Sequence, residues 1–459
     1  MEKNAFFESP NIGRLFMRIA IPGSIGMLAS AIYQLIDGIF INEFLGGEAF
    51  TAVNLAFPFI IAAYAFSDLI GVGSSVVISI RLGEKRNLEA NRIFTSAVLL
   101  VLVFNVLVSV SFSLLCPYVF SLMDTTPEIS SLAYQYCLPY FLSLPLAGFL
   151  FSCDNFLRIC GYVKYSMIVN IGSSLLVVLL EFLFLGVGDF PIWGASLASS
   201  FSFSVFVIIS FIPFFARKTV LRFAKPKISK EEFFFTLRSG LPAFLSNIAG
   251  RVTAIVFNSL LLAYGGEGAV SVYGSLMYID AFVYPLLYGM TDSLQPCLGY
   301  NHGAGRHDRV KKLQNYIFLS SFSLCLVVFI LLLSFPGGLT YPFLSSADSA
   351  TLELARHAAF IFAFLYLVRS FPYAISNLFQ ATGKPLPSIL ITFSLSLVFP
   401  LLLCLALSPI GLDGIWMNSA ISYALGSILA FLLFYFLLIR KRKSPVLEKQ
   451  DGKTEEEKE

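Results

Sequence analysis

Residues 92–116 read RIFTSAVLLVLVFNVLVSVSFSLLC. After Arg92 the stretch holds no Asp, Glu, Lys or Arg, and as a helix it extends for roughly 36 Å. That length crosses about 30 Å of hydrocarbon, and in lipid a helix satisfies its own backbone hydrogen bonds. Four basic residues, Arg81, Lys85, Arg86 and Arg92, precede the apolar run, and two acidic ones, Asp124 and Glu128, follow it. Basic before and acidic after, reversed at the next run, is the pattern from which the chain is built.

Outward from this run the pattern repeats along all 459 residues, of which 57% are hydrophobic and 13% charged. A soluble domain has too few polar residues at that composition to cover its surface. Apolar runs separated by short polar breaks predict helices over 15–44, 50–80, 92–116, 130–152, 164–186, 191–216, 234–263, 269–299, 313–335, 351–377, 386–407 and 413–440. Alternate loops, with the two ends of the chain, collect 28 of the 31 Lys and Arg residues. The intervening loops, around Glu43–Glu48, Asp124–Glu128, Asp189, Glu267, Asp348 and Asp413, hold acids and no Lys or Arg. Arg356, near the outer end of the tenth run, is a mild exception. Positive loops stay on the cytoplasmic side. Both termini are therefore expected inside a multi-pass protein of the cytoplasmic membrane, and the number of spans is even. The charged segment from Glu2 to Arg18 and the long run after it do not fit a cleaved leader.

The second half repeats the first at an offset of about 220 residues. Ile21-Pro22 matches Leu241-Pro242, Gly46-Gly47-Glu48 matches Gly265-Gly266-Glu267, and Ile192-Trp193 matches Ile415-Trp416. The expected fold class is an all-α integral membrane protein: twelve transmembrane helices in two six-helix lobes, related by a pseudo-two-fold axis along the membrane normal. The domains follow as 1–216, a basic cytoplasmic linker at 217–238, a second lobe at 239–443, and a disordered charged tail at 444–459.

Ionisable residues at membrane depth cost roughly a few kcal/mol or more and mark functional positions. Here they are Asp37, Asp68, Glu181, Arg251, Asp280, Asp292 and Arg369. Ser30, Gln34 and Asp37 share one helical face, as do Asn170, Ser174, Val177 and Glu181 on the fifth run. Two carboxylates facing each other in a dry lobe share a proton or hold Na⁺ between them, which makes Asp37, Glu181 and Asn170 candidates for a coupling-ion site. Tyr33, Gln34, Asp68, Arg251, Asp280 and Arg369 are expected around a central substrate cavity. Arg251 and Arg369 either neutralise Asp280 or Asp292, or face that cavity and favour an anionic group. Pro22 and Pro242 each remove a backbone hydrogen bond at matching places and are candidate hinges.

The seven cysteines form no CxxC pair or Cys/His cluster, so neither a disulfide nor a metal site is expected, apart from Na⁺ at Asp37 and Glu181. No phosphate-binding loop of the G-x-x-x-x-G-K-[ST] type and no nucleophile–base set occurs. Ion-coupled secondary transport by a monomer in the lipid bilayer is the expectation, with no enzymatic activity, cofactor or nucleic-acid partner.

Three stretches point further. Asp37-Gly38-Ile39-Phe40-Ile41 with Ala52-Val53-Asn54-Leu55-Ala56-Phe57-Pro58 is one, and Asn155-Phe156-Leu157-Arg158-Ile159-Cys160-Gly161 another. The third is Gln295-Pro296-Cys297-Leu298-Gly299-Tyr300-Asn301-His302-Gly303-Ala304. Together they resemble the multidrug and toxic compound extrusion (MATE) family over residues 10–440. The resemblance implies an antiporter that exports organic cations and drugs in exchange for H⁺ or Na⁺; the alternative is a flippase for a lipid-linked saccharide or another amphipathic anion. One branch of the family places its ion site in the N-terminal lobe, with an Asp on the first helix, an Asn and an Asp four apart on the fifth, and a Thr on the sixth. Asp37 stands at the first of these positions, Val177 and Glu181 at the next two, and Ser199 at the last. The absent amide and the longer acid favour H⁺ over Na⁺. A second branch uses an acid on helix 7, and the embedded part of that helix has none here.

Overall fold

The structure, a computed structural model, describes residues 6–123, 125–344 and 348–439. Lys3, Asp124 and the tail at 444–459, expected to be disordered, lie outside the described residues. Everything regular among them is helical: α1 Ile12–Leu45, α2 Gly47–Gly83, α3 Asn87–Ser121, α4 Pro127–Ile159, α5 Val163–Val187 and α6 Trp193–Phe215. A 74-residue helical stretch, Lys230–Gly303, follows, then α9 His307–Ser334, α10 Ser349–Ala381, α11 Pro385–Ile410 and α12 Leu412–Leu438. The long stretch is not one span. Gly266 interrupts it with φ 63° and ψ −160°, so residues 230–265 form α7 and residues 267–303 form α8. Twelve crossings result among the described residues.

The break at Gly266 has its counterpart at Gly46, which separates α1 from α2 with φ 86°. Positive φ is open to glycine at little cost, and the matching Gly-Gly-Glu turns reverse the chain in both repeats, at the first glycine in one and the second in the other. The fifth helix of each half also loosens into a π turn, at Phe182–Val187 in α5 and at Ser394–Val398 in α11. The basic segment is shorter than expected: Ser229 and Glu232 cap each other reciprocally, so α7 begins at Lys230 and takes in residues 230–238. Likewise α4 runs on to Ile159 rather than stopping near 152, which carries Asp154 and Arg158 into the helix.

Apolar packing divides the molecule. One buried cluster joins the six helices of the first half, from Leu15 and Ile70 through Phe141 to Val207. A second draws on the second half, around Leu261, Leu276, Phe362, Tyr366 and Trp416. At the end of the molecule that carries the basic loops, the first cluster also takes in Leu294, Leu298, Leu313, Ile317 and Leu378 of the second half. There the halves are one core, and glycines let the backbones touch. A Cβ added at Gly240 would lie 1.8 Å from the carbonyl oxygen of Leu69, one at Gly73 2.0 Å from that of Thr236, and one at Gly83 2.1 Å from that of Tyr300. On α1, Gly23 abuts Gly289 of α8, and Ser24 Oγ donates to the Leu286 carbonyl at 2.9 Å. Towards the opposite end, where the loops are acidic, the halves part around a cavity.

Candidate functional site

That cavity has a volume of about 1220 Å³ and reaches from Asn42, Phe50 and Phe343 near the acidic end down to Val72 and Asp292. Both halves line it. Its wall carries five carboxylates, Asp37, Asp68, Asp154, Asp280 and Asp292, and one guanidinium, Arg251, set among Tyr and Phe rings. Tyr33 and Gln34 lie on the wall beside Asp37, and Tyr33 packs edge-on against Phe203.

Asp37 and Glu181 meet at the first-half side. Asp37 is 7% exposed and Glu181 fully buried, although α1 and α5 are far apart in sequence. Their carboxyl groups lie within hydrogen-bonding reach of each other. Tyr136 of α4 donates its hydroxyl to Asp37 Oδ2 at 3.3 Å, and Ser199 of α6 donates to Glu181 Oε1 at 3.4 Å. The remaining oxygens, Asp37 Oδ1 and Glu181 Oε2, are buried and receive no hydrogen bond from any described residue. Two carboxyl groups can bond to each other only if one of them carries a proton. The π turn begins at the residue after Glu181, so the acid sits where the helix is least regular.

Asn170 belongs to a neighbouring group. Its amide donates to Asp154 Oδ1 at 2.9 Å, and Ser166 Oγ donates to the same oxygen. The other oxygen of Asp154 meets Arg158 at 2.5 Å, and Arg158 Nη1 reaches Asp292 Oδ2 at 2.6 Å. Arg158 is 1% exposed, yet it bridges α4 of the first half to α8 of the second. Asp68 lies close enough to Asp292 and Asp154 to feel both charges. A helix that ends at 152 leaves Asp154 and Arg158 in the break before the run at 164, whereas both stand on α4. The signal was the i, i+4 spacing of an acid and an Arg within a largely apolar stretch. Tyr136 had no such signal, since nothing in the sequence relates it to a carboxyl group 99 positions away.

Of the two further arginines, Arg369 takes Asp280: Nη2 meets Oδ2 at 3.1 Å, Nη1 meets Oδ1, and Tyr366 donates to Oδ1 at 3.1 Å. The rings of Tyr284, Tyr366, Tyr373 and Tyr423 surround that guanidinium with centroids 5.3–5.9 Å away. Neither arginine pairs with Asp292, which Arg158 occupies. Arg251 lies over the Phe57 ring at 5.7 Å and faces the cavity with no ion pair among the described residues. Pro22 and Pro242 are both buried inside continuous helix beside the glycine contacts.

Twelve apolar helices in two matched halves around a charged, aromatic cavity define the class of polytopic membrane transporters with a central binding space. The chain matches the MatE family model over residues 22–183 and 242–405, one segment in each half, and belongs to that family. Among similar proteins, the multidrug export protein MepA of Staphylococcus haemolyticus (strain JCSC1435) is 25% identical over 445 residues, which cover 95% of this chain and 96% of that protein. MepA of Staphylococcus aureus (strain NCTC 8325 / PS 47) is 26% identical over 449 residues, with the same coverage of both chains. The fold matches the crystal structure of MATE in complex with MaL6 at a TM-score of 0.90 and 23% identity, covering 97% of this chain and all of that one. It also matches an outward-facing multidrug resistance MATE family transporter of the MOP superfamily at 0.88 and 23%, covering 97% and 99%.

Proposed function

We propose that the protein is a secondary active antiporter of the cytoplasmic membrane that exports organic cations and drugs by alternating access, in exchange for H⁺. The observation that carries this reading is the buried Asp37–Glu181 pair, whose Asp37 lines a cavity that sets five carboxylates among aromatic rings. Anions on the wall and π faces around them attract a lipophilic cation, which cannot be fully solvated by either lipid or a neutral pocket. The relatives named for multidrug export support the same cargo.

H⁺ is favoured over Na⁺ by the ligands. Na⁺ needs several convergent oxygens, whereas Val177, one turn before Glu181, has none to offer and Asn170 is anchored through its amide N–H at Asp154 rather than at the acid pair. A proton needs only the two acids. The basic end is taken as cytoplasmic by the charge rule, so the closed seam faces the cytoplasm and the cavity the outside. Protonation of the pair there removes the charge that holds a cation, and cargo leaves outward. The flippase alternative rests on Arg251, the single guanidinium on a wall with five carboxylates. Arg158 and Arg369 pair with three of those acids, yet carboxylates still outnumber guanidiniums by five to three, which disfavours an anionic cargo.

Reconstituted protein in liposomes tests this. Ethidium uptake into inside-out vesicles is expected to release protons and to follow a pH gradient at constant Na⁺. Transport driven by Na⁺ at constant pH, or by neither ion, overturns the coupling. Asp37→Asn is expected to abolish drug resistance while the protein still inserts into the membrane normally.

A further inference from the structure

A second cavity of about 950 Å³ opens at the basic end, away from the central one. Six basic and three acidic side chains line it. Two of the bases are already engaged, Arg81 with Glu84 at 2.8 Å and Arg86 with Glu89 at 2.7 Å. Glu232 is occupied by the cap of α7. The other four bases, Arg92, Lys227, Lys230 and Arg238, make no ion pair or hydrogen bond among the described residues. They come from three places, α3, the segment between the halves and α7, and they converge on one space.

Most of the rest of the lining is apolar, with Val77, Ile80 and Ile93 on one side and Phe234 and Phe235 on the other, beside Ser229 and Thr382. Phe234 is 56% exposed. Loop charges that served only to orient the protein in the membrane need no cavity and no greasy wall beside them. A cationic rim over an apolar wall, at the level where helices leave the hydrocarbon, matches a phospholipid with an anionic head group. We infer that this groove is a binding site for such a lipid, with the phosphate among Arg92, Lys227, Lys230 and Arg238 and an acyl chain along Ile80 and Phe234.

The walls belong to both halves: α2 and α3 on one side, α7 and the Thr382–Gly383 turn on the other. A lipid seated there holds the halves together at the basic end and favours the arrangement seen here. Its source is the bilayer rather than a dissolved anion, because a free phosphate has no use for the phenylalanines.

The test uses the full-length purified protein in mixed micelles of phosphatidylglycerol and phosphatidylcholine, with retained lipid read by native mass spectrometry. Wild type is expected to retain phosphatidylglycerol selectively, and excess inorganic phosphate is expected not to displace it. Arg92→Gln, Lys227→Gln and Arg238→Gln combined should lower that preference by about ten-fold or more. A control with the same charge change elsewhere on this end, Lys164→Gln, Lys311→Gln and Lys312→Gln, should keep it. Equal loss in both triple variants would reduce the effect to general surface charge and overturn the site. Full displacement by phosphate would overturn the lipid as its occupant. Should the first triple variant unfold, Arg238→Gln alone provides the same comparison, because its side chain is exposed.

Discussion

Val177 is fully buried one turn before Glu181, where an amide would add an oxygen to the acid pair. Replacing it tests the ion choice directly: Val177→Asn should make transport respond to Na⁺, at a stability loss of about 1–3 kcal/mol for the buried amide. A variant still indifferent to Na⁺ would mean that the pair lacks more than one ligand. Arg158 allows a different test. It is 1% exposed and holds two carboxylates, so Arg158→Gln leaves both without a counter-charge, and loss of about 3–5 kcal/mol is expected in thermal unfolding. Asp292→Asn should cost less, because Arg158 keeps Asp154. At this scale the sequence is legible where a charge stands alone in an apolar run, as with Asp37, Glu181 and Arg251. It is not legible where partners meet only in three dimensions, as Tyr136 with Asp37 and Arg158 with Asp292; for Arg369 it offered Asp280 as one of two alternatives, and the structure sets the guanidinium there.

Helices and their breaks are the best-read level of this molecule. Membrane length, loop charge and the repeated Gly-Gly-Glu were enough to place twelve crossings, including the one that a continuous 74-residue helical stretch conceals. Ends were harder. Nothing local stops α4 at 152, since Ser152, Cys153 and Asp154 are tolerable in a helix whose neighbours bury them, and tertiary contact decides. The close crossings were also invisible, because a glycine that abuts a backbone looks like any other glycine. They carry a prediction for α2 and α7. Gly240→Val places carbons inside the Leu69 carbonyl and should push the basic ends of these helices apart, by the ~1–3 kcal/mol typical of overpacking. Spin labels on α2 and α7 would report the separation, and unchanged distances in the variant would show that this crossing does not hold the seam.

Over the whole molecule, closure at the basic end involves the chain's beginning as well as its helices. Glu8 accepts from Tyr300 at 3.0 Å and pairs with Arg306 at 2.9 Å, while Arg309 reaches the carbonyls of Phe7 and Ser9. The Tyr300 hydrogen bond and the Arg306 charge hold the Glu8 carboxyl below the ordinary value of 4.5. A carboxyl depressed by folding contributes stability above its unfolded pKa and loses it as pH falls through the folded one. The clasp is thus intact at neutral pH and released only in acid below the usual glutamate range. Hydrogen exchange of residues 6–15 should stay slow at pH 7 and rise in Glu8→Gln at the same pH; equal rates would remove the clasp from the account. The connection between the halves bears on how far they can move. Leu221 is buried in the first half, and the amides of Arg222 and Ala224 donate to Asn91 and Thr95 at 2.9 Å each. The cord is therefore knotted to one side, and only residues 225–228 lie between that anchor and the Ser229 cap of α7. Four residues span about 14 Å at most. A tether that short permits the second half to tilt about its anchor but not to slide away, so any excursion must be wide at the far end and small near the knot.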